Sequence, residues 1–484
     1  MTMLETDICV IGGGSGGLSV AAGASQMGAR VVLFERHKMG GDCLNYGCIP
    51  SKALLAAAKL AYHDPRMAAM GITAKKSVNM AGVKAHIEDV IASIAPHDSV
   101  ERFSGLGVKV ISSDATFTGH NTVTGGGYTV KAKYFVVATG SSPFVPPVSG
   151  LAETPHYTNE TIFTLSDIPE HLIIMGGGPI GIEMAQAWRR LGAAVTIVEA
   201  ASSIMSRDEP RLVAILHQQL TQEGINIIES TAISHVTGTD GKITVTLSRK
   251  ATGDGKTAED GKTINTLDGS HILVAVGRRP NLDGLDLEQA GIAYTRTGIT
   301  TDNRLRSSNR RVFAIGDVSG RQQFTHIAGY HAGIVIRNML FRLPARIDDS
   351  LVPWVTYTDP ELAHVGMTMD MATAAGYDPI PLITPLAEND RARAERRTEG
   401  MVIAVTNKKG RILGASILAP HAGEMIGAWA VAITAKASIK TMASHIAPYP
   451  TYGEASKRTA GAFYTPKLFS PRVQRLVRFM LKWF

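Results

Sequence analysis

The chain has 484 residues, 44% of them hydrophobic and 19% charged, the balance of a soluble globular protein of about three domains at roughly 150 residues each. No apolar run reaches the roughly 18 residues of a membrane span, the acidic residues 1–7 are no secretory signal, and three cysteines exclude a disulfide scaffold and fit a reducing cytoplasm. The net charge of +7 is local: seven basic residues and no acid follow Glu454, and the other 42 of the 49 bases balance the 42 acids, which excludes a basic body built for nucleic acid.

The first element, residues 7–17, is a short apolar strand running into Gly12, Gly14 and Gly17 in the spacing G-x-G-x-x-G. An Ala-rich helix follows, then a second strand, Val31-Val32-Leu33-Phe34, which ends in Glu35. In this spacing the first glycine allows a tight turn, the second lets backbone approach a pyrophosphate, and the third lets helix pack on strand. The acid at the tip of the second strand accepts the hydroxyls of an adenosine ribose.

Residues 40–52 follow, with Cys43 and Cys48 six residues apart counted inclusively. In a regular helix such positions sit about 140° apart around the axis, so a disulfide needs a distorted turn, which Gly47 allows. Pro50 opens a helix through Ala58, which places Cys48 at a helix N-terminus, where the dipole lowers a thiol pKa. Lys52 adds a cation one turn on. A zinc site fails on ligand count, because the one remaining cysteine, Cys9, lies inside the first strand as a small apolar residue.

Pro143, Pro146 and Pro147 mark a linker. The first pattern then returns: residues 172–181 carry Gly176, Gly178 and Gly181, and a helix and the strand Val195-Thr196-Ile197-Val198 lead to Glu199. The first glycine and the acid are 23 positions apart in both copies. Two dinucleotide sites in one chain suit a flavin and a nicotinamide nucleotide. Glu199 would repel a 2′-phosphate and favours NADH over NADPH; Arg207, the first base downstream, qualifies that preference. The polar, Gly-rich stretch 251–261 is expected as an exposed hairpin tip.

Near the C-terminus, residues 471–484 place Val473, Leu476, Val477, Met480, Leu481 and Phe484 at helical spacing, with Arg472, Arg475, Arg478 and Lys482 over much of the remaining surface. Such a helix can pack its stripe on the protein's own dimer or lie on an anionic membrane surface.

These motifs, with Ala138-Thr139-Gly140, Val276-Gly277-Arg278-Arg279-Pro280-Asn281, Ala314-Ile315-Gly316-Asp317 and residues 357–366, resemble the class I pyridine nucleotide–disulfide oxidoreductases over roughly residues 5–465. That family includes dihydrolipoyl dehydrogenase, glutathione reductase and mercuric reductase. The resemblance implies an α/β fold with two Rossmann-like dinucleotide-binding domains, for FAD and NAD, and a C-terminal α+β interface (dimerisation) domain. The expected limits are 1–150 and 276–345 for the FAD domain, 151–275 for the NAD domain, 346–465 for the interface domain and 466–484 for the basic tail.

By the same resemblance Gly12, Gly14, Gly17 and Glu35 hold the ADP half of FAD, with backbone contacts from Ala115, Thr139 and Gly140 and a hydrogen bond from Asp317 to the ribityl chain. Lys52 and Glu183 pair beside the flavin; without the resemblance Glu183 is an ordinary acid of a helix first turn. Gly176, Gly178, Gly181, Glu199 and Gly277 belong to the NADH site. The implied relay passes electrons from NADH through FAD to a Cys43–Cys48 disulfide. Cys48 is the sulfur nearer the ring and Cys43 the outer sulfur that attacks the substrate. Tyr449 and Glu454 would serve the Cys43 of a partner chain in a homodimer.

The pattern departs from disulfide-reducing relatives at Tyr449, where they place a His five residues before the Glu. A phenol, with an ordinary pKa near 10, is a poor base at neutral pH. His445 would have to reach the site by another route or is a structural residue. Tyrosine here is similar to mercuric reductases, but those carry a C-terminal cysteine pair, and no cysteine follows Cys48. An N-terminal metal-binding module is also missing, and Asp42 replaces the Thr common before the first cysteine. The expectation is a mercuric-reductase-like enzyme acting on a disulfide or a thiol-bound metal ion. The alternatives are a dihydrolipoyl dehydrogenase and a membrane-docked electron-transfer flavoprotein. No metal cofactor is expected, and the location is cytoplasmic, with peripheral contact on the inner membrane surface open.

Overall fold

The computed structural model describes residues 1–249 and 265–483, so the expected tip at 251–261 lies outside the described residues. The strands that lead to it, Lys242–Arg249 and Asn265–Gly269, pair antiparallel. The residues group into two compact units: 1–62, 76–200 and 227–347 in one, and 63–75, 201–226 and 348–484 in the other.

The first unit is built around two sheets whose central strands run parallel. In the first, β1 (Thr2–Ile11) feeds α1 (Ser15–Gln26), which returns to β2 (Val31–Glu35). β3 (Val108–Ser112), β2, β1 and β4 (Tyr128–Val137) lie side by side and parallel. Alternate residues of each strand face opposite ways, and both faces are covered. Ile8, Val10, Val31 and Leu33 pack into one apolar cluster; Cys9, Ile11, Val32 and Phe34 pack into another. Cys9 is wholly buried there and its thiol pKa is pushed far up by desolvation, so it is inert. The second sheet repeats the plan: β5 (His171–Met175) leads into α4 (Pro179–Leu191) and then β6 (Ala194–Val198), and β7 (His271–Val274) runs parallel on the other side of β5.

The second unit is an antiparallel sheet of five strands, in the order 354–356, 361–366, 412–419, 401–406 and 380–385, with α-helical cover that includes Ala422–Thr434 and buries Ile426 and Trp429. Helix α5 (Pro210–Gln222), expected inside the NAD domain, groups with this unit. It packs Leu212, Val213, Leu216 and Leu220 inward and contacts the strand Ile412–Ala419. Just before it, Asp208 accepts a hydrogen bond from Trp354 Nε1–H at 2.8 Å.

Burial of Asp208 raises its carboxyl from 3.8 to about 6, against the opposing Trp354 bond. The folded state therefore holds this proton more tightly than the unfolded chain. The resulting stabilisation is fully present below pH 4 and is lost as pH rises through about 6, a change of about 3 kcal/mol. Asp208→Asn keeps an acceptor for Trp354 and never ionises. Its thermal midpoint should exceed that of the wild type by about 3 °C or more at pH 8 and match it at pH 4, by calorimetry.

Candidate active site

The two glycine turns have the same internal geometry. A methyl group on Gly17 would stand 1.9 Å from Gly12 O, and one on Gly181 would stand 2.1 Å from Gly176 O, so only glycine lets each helix approach its strand. In both copies the acid closes the turn: Gly13 N–H donates to Glu35 Oε2 and Gly177 N–H to Glu199 Oε2, each at 2.6 Å. The caps of α1 and α4, Gly14 and Gly178, provide no side-chain hydrogen bond, and neither helix has an acid in its first turn. Each helix start thus leaves backbone N–H groups open to an anion, which fits a dinucleotide pyrophosphate.

The first turn also carries the cysteine segment. Gly40 N–H donates to Gly13 O at 2.9 Å, and a methyl group on Gly41 would come within 2.7 Å of Gly14 Cα. The segment then forms two helices rather than one: α2 (Gly41–Asn45) holds Cys43, and α3 (Cys48–Ala61) begins at Cys48. The break at Tyr46 and Gly47 supplies the distortion that the spacing of the cysteines requires. The helix starts at Cys48, two residues before the expected Pro50, because proline is tolerated throughout a first turn, where its missing N–H has no partner to lose.

Both sulfurs are free thiols. They share one site and have opposite tendencies. Cys48 is lowered to about 6, first by the hydrogen bond from Cys43, and further by Thr325 and the Lys52 cation, against burial. Cys43 is pushed up by that same bond and by burial. The site therefore favours the thiolate at Cys48 and the proton at Cys43. Thr325, at the start of helix Thr325–Leu340, places its hydroxyl 3.3 Å from Cys48 Sγ; it was not foreseen, because 277 residues separate the two.

Lys52 on α3 meets Glu183 on α4 at 2.8 Å, the pairing expected. Glu183 is buried and Lys52 is partly open, so the pair ties the helices that follow the cysteines and the second glycine turn.

Asp42 acquires partners that sequence spacing did not suggest. Its Oδ1 accepts from Asn159 Nδ2 at 3.1 Å and lies 3.2 Å from Arg278 Nη2. Asn159 also donates to Tyr46 O, so one amide spans the loop between the cysteines. Arg278 continues to Ser141, whose hydroxyl donates to Asp317 Oδ2 at 2.6 Å. Burial raises the carboxyl of Asp317. Nearby, Thr139 Oγ1 donates to Asn281 O and Asn281 N–H to Gly140 O, which fixes the loop after β4. Ala115 is buried, and Gly277 O accepts from Phe144 N–H.

Tyr449 and Glu454 belong to the second unit. The Tyr449 hydroxyl donates to Asp390 Oδ2 at 3.1 Å, and that bond raises the phenol further from neutrality. Glu454 lies in the first turn of helix Gly453–Gly461. The His445 ring nitrogen Nδ1 is 2.7 Å from Met442 O, a local cap that suits a structural residue. Among the described residues no three His, Cys, Asp or Glu side chains gather to hold a metal ion.

Residues 6–332 match the family of the pyridine nucleotide-disulphide oxidoreductases, and residues 352–460 match its dimerisation domain. The chain belongs to this family. It is an FAD-dependent oxidoreductase that uses NAD(P)H, and the second match supports a homodimer. The chain is 34% identical to a mercuric reductase from Streptomyces lividans, over 94% of this chain and 96% of that one. It is also 34% identical to a dihydrolipoyl dehydrogenase from Geobacillus stearothermophilus, again over 94% and 96%. Among solved structures it resembles the Cu(II) complex of the HOCl-induced flavoprotein disulfide reductase RclA from Escherichia coli. That match has a TM-score of 0.83 and 26% identity, and covers 95% of this chain and 99% of that one.

The polarisation of the thiol pair is directly measurable. In the dithiol form, thiolate absorbance should titrate with a midpoint near pH 6, well below the ordinary thiol. Cys43→Ala should raise that midpoint most, and Thr325→Val and Lys52→Met should each raise it less. A midpoint at about 8.5 would show that the site does not polarise the pair.

Proposed function

We propose that the protein is an NADH-dependent reductase of a thiol-bound soft metal ion, similar to the mercuric reductases, with Cys43 and Cys48 as the redox pair. The observation that carries this reading is the Tyr449 phenol, which is hydrogen-bonded to Asp390 and stands where disulfide-reducing relatives place a His. That bond raises the phenol, so it is a poor base for the Cys43 proton. Disulfide reduction needs a base that cycles near neutral pH. A soft metal ion needs none, because coordination itself displaces the thiol proton. The net reaction balances as M(SR)2 + NADH + H+ → M + NAD+ + 2 RSH.

In this reading Cys43 is the outer sulfur that takes the ion, and Cys48 is the thiolate kept by Thr325 and Lys52. Glu183 fixes the Lys52 ammonium. Gly12, Gly14, Gly17, Glu35, Ala115, Thr139, Gly140 and Asp317 would hold FAD, which when bound supplies the junction between a two-electron donor and the sulfur pair. Gly176, Gly178, Gly181, Glu199 and Gly277 would hold NADH. Tyr449 and Glu454 would face Cys43 of the partner chain and orient the ion.

Side-by-side assays with Hg(II), lipoamide and glutathione disulfide test this reading. Turnover with the thiol-bound ion should exceed turnover with either disulfide, and Cys43→Ala should reduce it by about 100-fold or more while ferricyanide reduction persists. Efficient lipoamide turnover would assign the chain to the dihydrolipoyl dehydrogenases instead. For the nucleotide, kcat/KM with NADH should exceed that with NADPH by about tenfold, and Glu199→Ala should narrow the ratio by raising KM for NADH.

A further inference from the structure

The last helix of the second unit, Pro471–Trp483, carries chemistry that the redox reading leaves unused. It lies beyond the matched dimerisation domain, which ends at residue 460. None of its residues is buried, and Leu476, Val477, Phe479, Met480, Leu481 and Trp483 are 46–79% exposed. On a wheel of about 100° per residue these six fill an arc of about 200°. Arg475, Arg478 and Lys482 share the opposite side, and Arg472, in the first turn, falls just inside one edge of the arc. No acid lies anywhere after Glu454 to compensate them.

We propose that this helix docks the protein on an anionic lipid surface, with the apolar arc at the acyl boundary and the cations among headgroup phosphates. The charge pattern decides among occupants. A second copy of the helix, packed arc to arc, would cover the apolar residues but leave Arg475, Arg478 and Lys482 of both copies on the outer faces with no anionic partner. A nucleic acid would satisfy the cations but leave the arc in water. A lipid surface satisfies both halves at once, and the inference is independent of which acceptor the enzyme reduces.

Co-sedimentation of the full-length holoenzyme with phosphatidylcholine vesicles, with and without phosphatidylglycerol, tests the proposal. The wild type should pellet with the anionic vesicles at low salt and stay in solution with the neutral ones. The triple variant R475Q/R478Q/K482Q should partition about 100-fold less, and L476E/M480E should not bind. Both variants should keep ferricyanide reductase activity and dimer mass by light scattering. Three results would overturn the proposal: wild type remaining in the supernatant with anionic vesicles, dissociation of the dimer by L476E/M480E, or double-stranded DNA binding that L476E/M480E leaves unchanged.

Discussion

The N–H of Gly40 donates to Gly13 O, and Gly41 lies against Gly14 with no room for a methyl group between them. This backbone contact joins the turn that would cradle a dinucleotide pyrophosphate to the segment that carries both cysteines. From it, α2 sets Cys43 and α3 sets Cys48 at its first residue, and one turn later α3 delivers Lys52 to Glu183. A side chain at Gly41 would lift the redox pair away from the glycine turn, and the later contacts would lose their register.

The chemistry of the pair follows from its asymmetry. Cys48 gains the Lys52 cation and the hydrogen bond from Cys43, and that same bond pushes Cys43 toward keeping its proton. The clamp formed by Asp42, Asn159 and Arg278 holds the loop between them from the side of Ser141 and Asp317. Threonine at position 42 could not form an ion pair with Arg278, so the departure of this chain from the family pattern has a structural partner. In the second unit the Tyr449 phenol is tied to Asp390, and that bond raises its proton affinity further above neutrality.

Much of the site was legible in the sequence because its signals are local. The glycine spacings, the acids at the strand tips, the thiol at a helix start and the cation four residues later all depend on helix and strand periodicity. Cys9 was legible as an inert core residue for the same reason. Glu183 was legible only through resemblance, since a lone helix acid has an ordinary explanation; it was expected in the first turn of α4 and stands past it. Thr325 and Asn159 lie more than 100 residues from the cysteine segment and no local pattern marks them, while Arg278 sits in a family motif whose spacing gives no hint of its pairing with Asp42.

The sequence by itself determined the two nucleotide folds and the grouping of Cys43, Cys48 and Lys52, because each rests on spacing within one or two elements. Only the tertiary structure decided that Thr325 reaches Cys48, what Asp42 pairs with, and that α5 joins the C-terminal unit through its apolar face and Asp208. Those outcomes depend on desolvation and on hydrogen bonds between distant strands and helices, and both come into being only when the chain is packed.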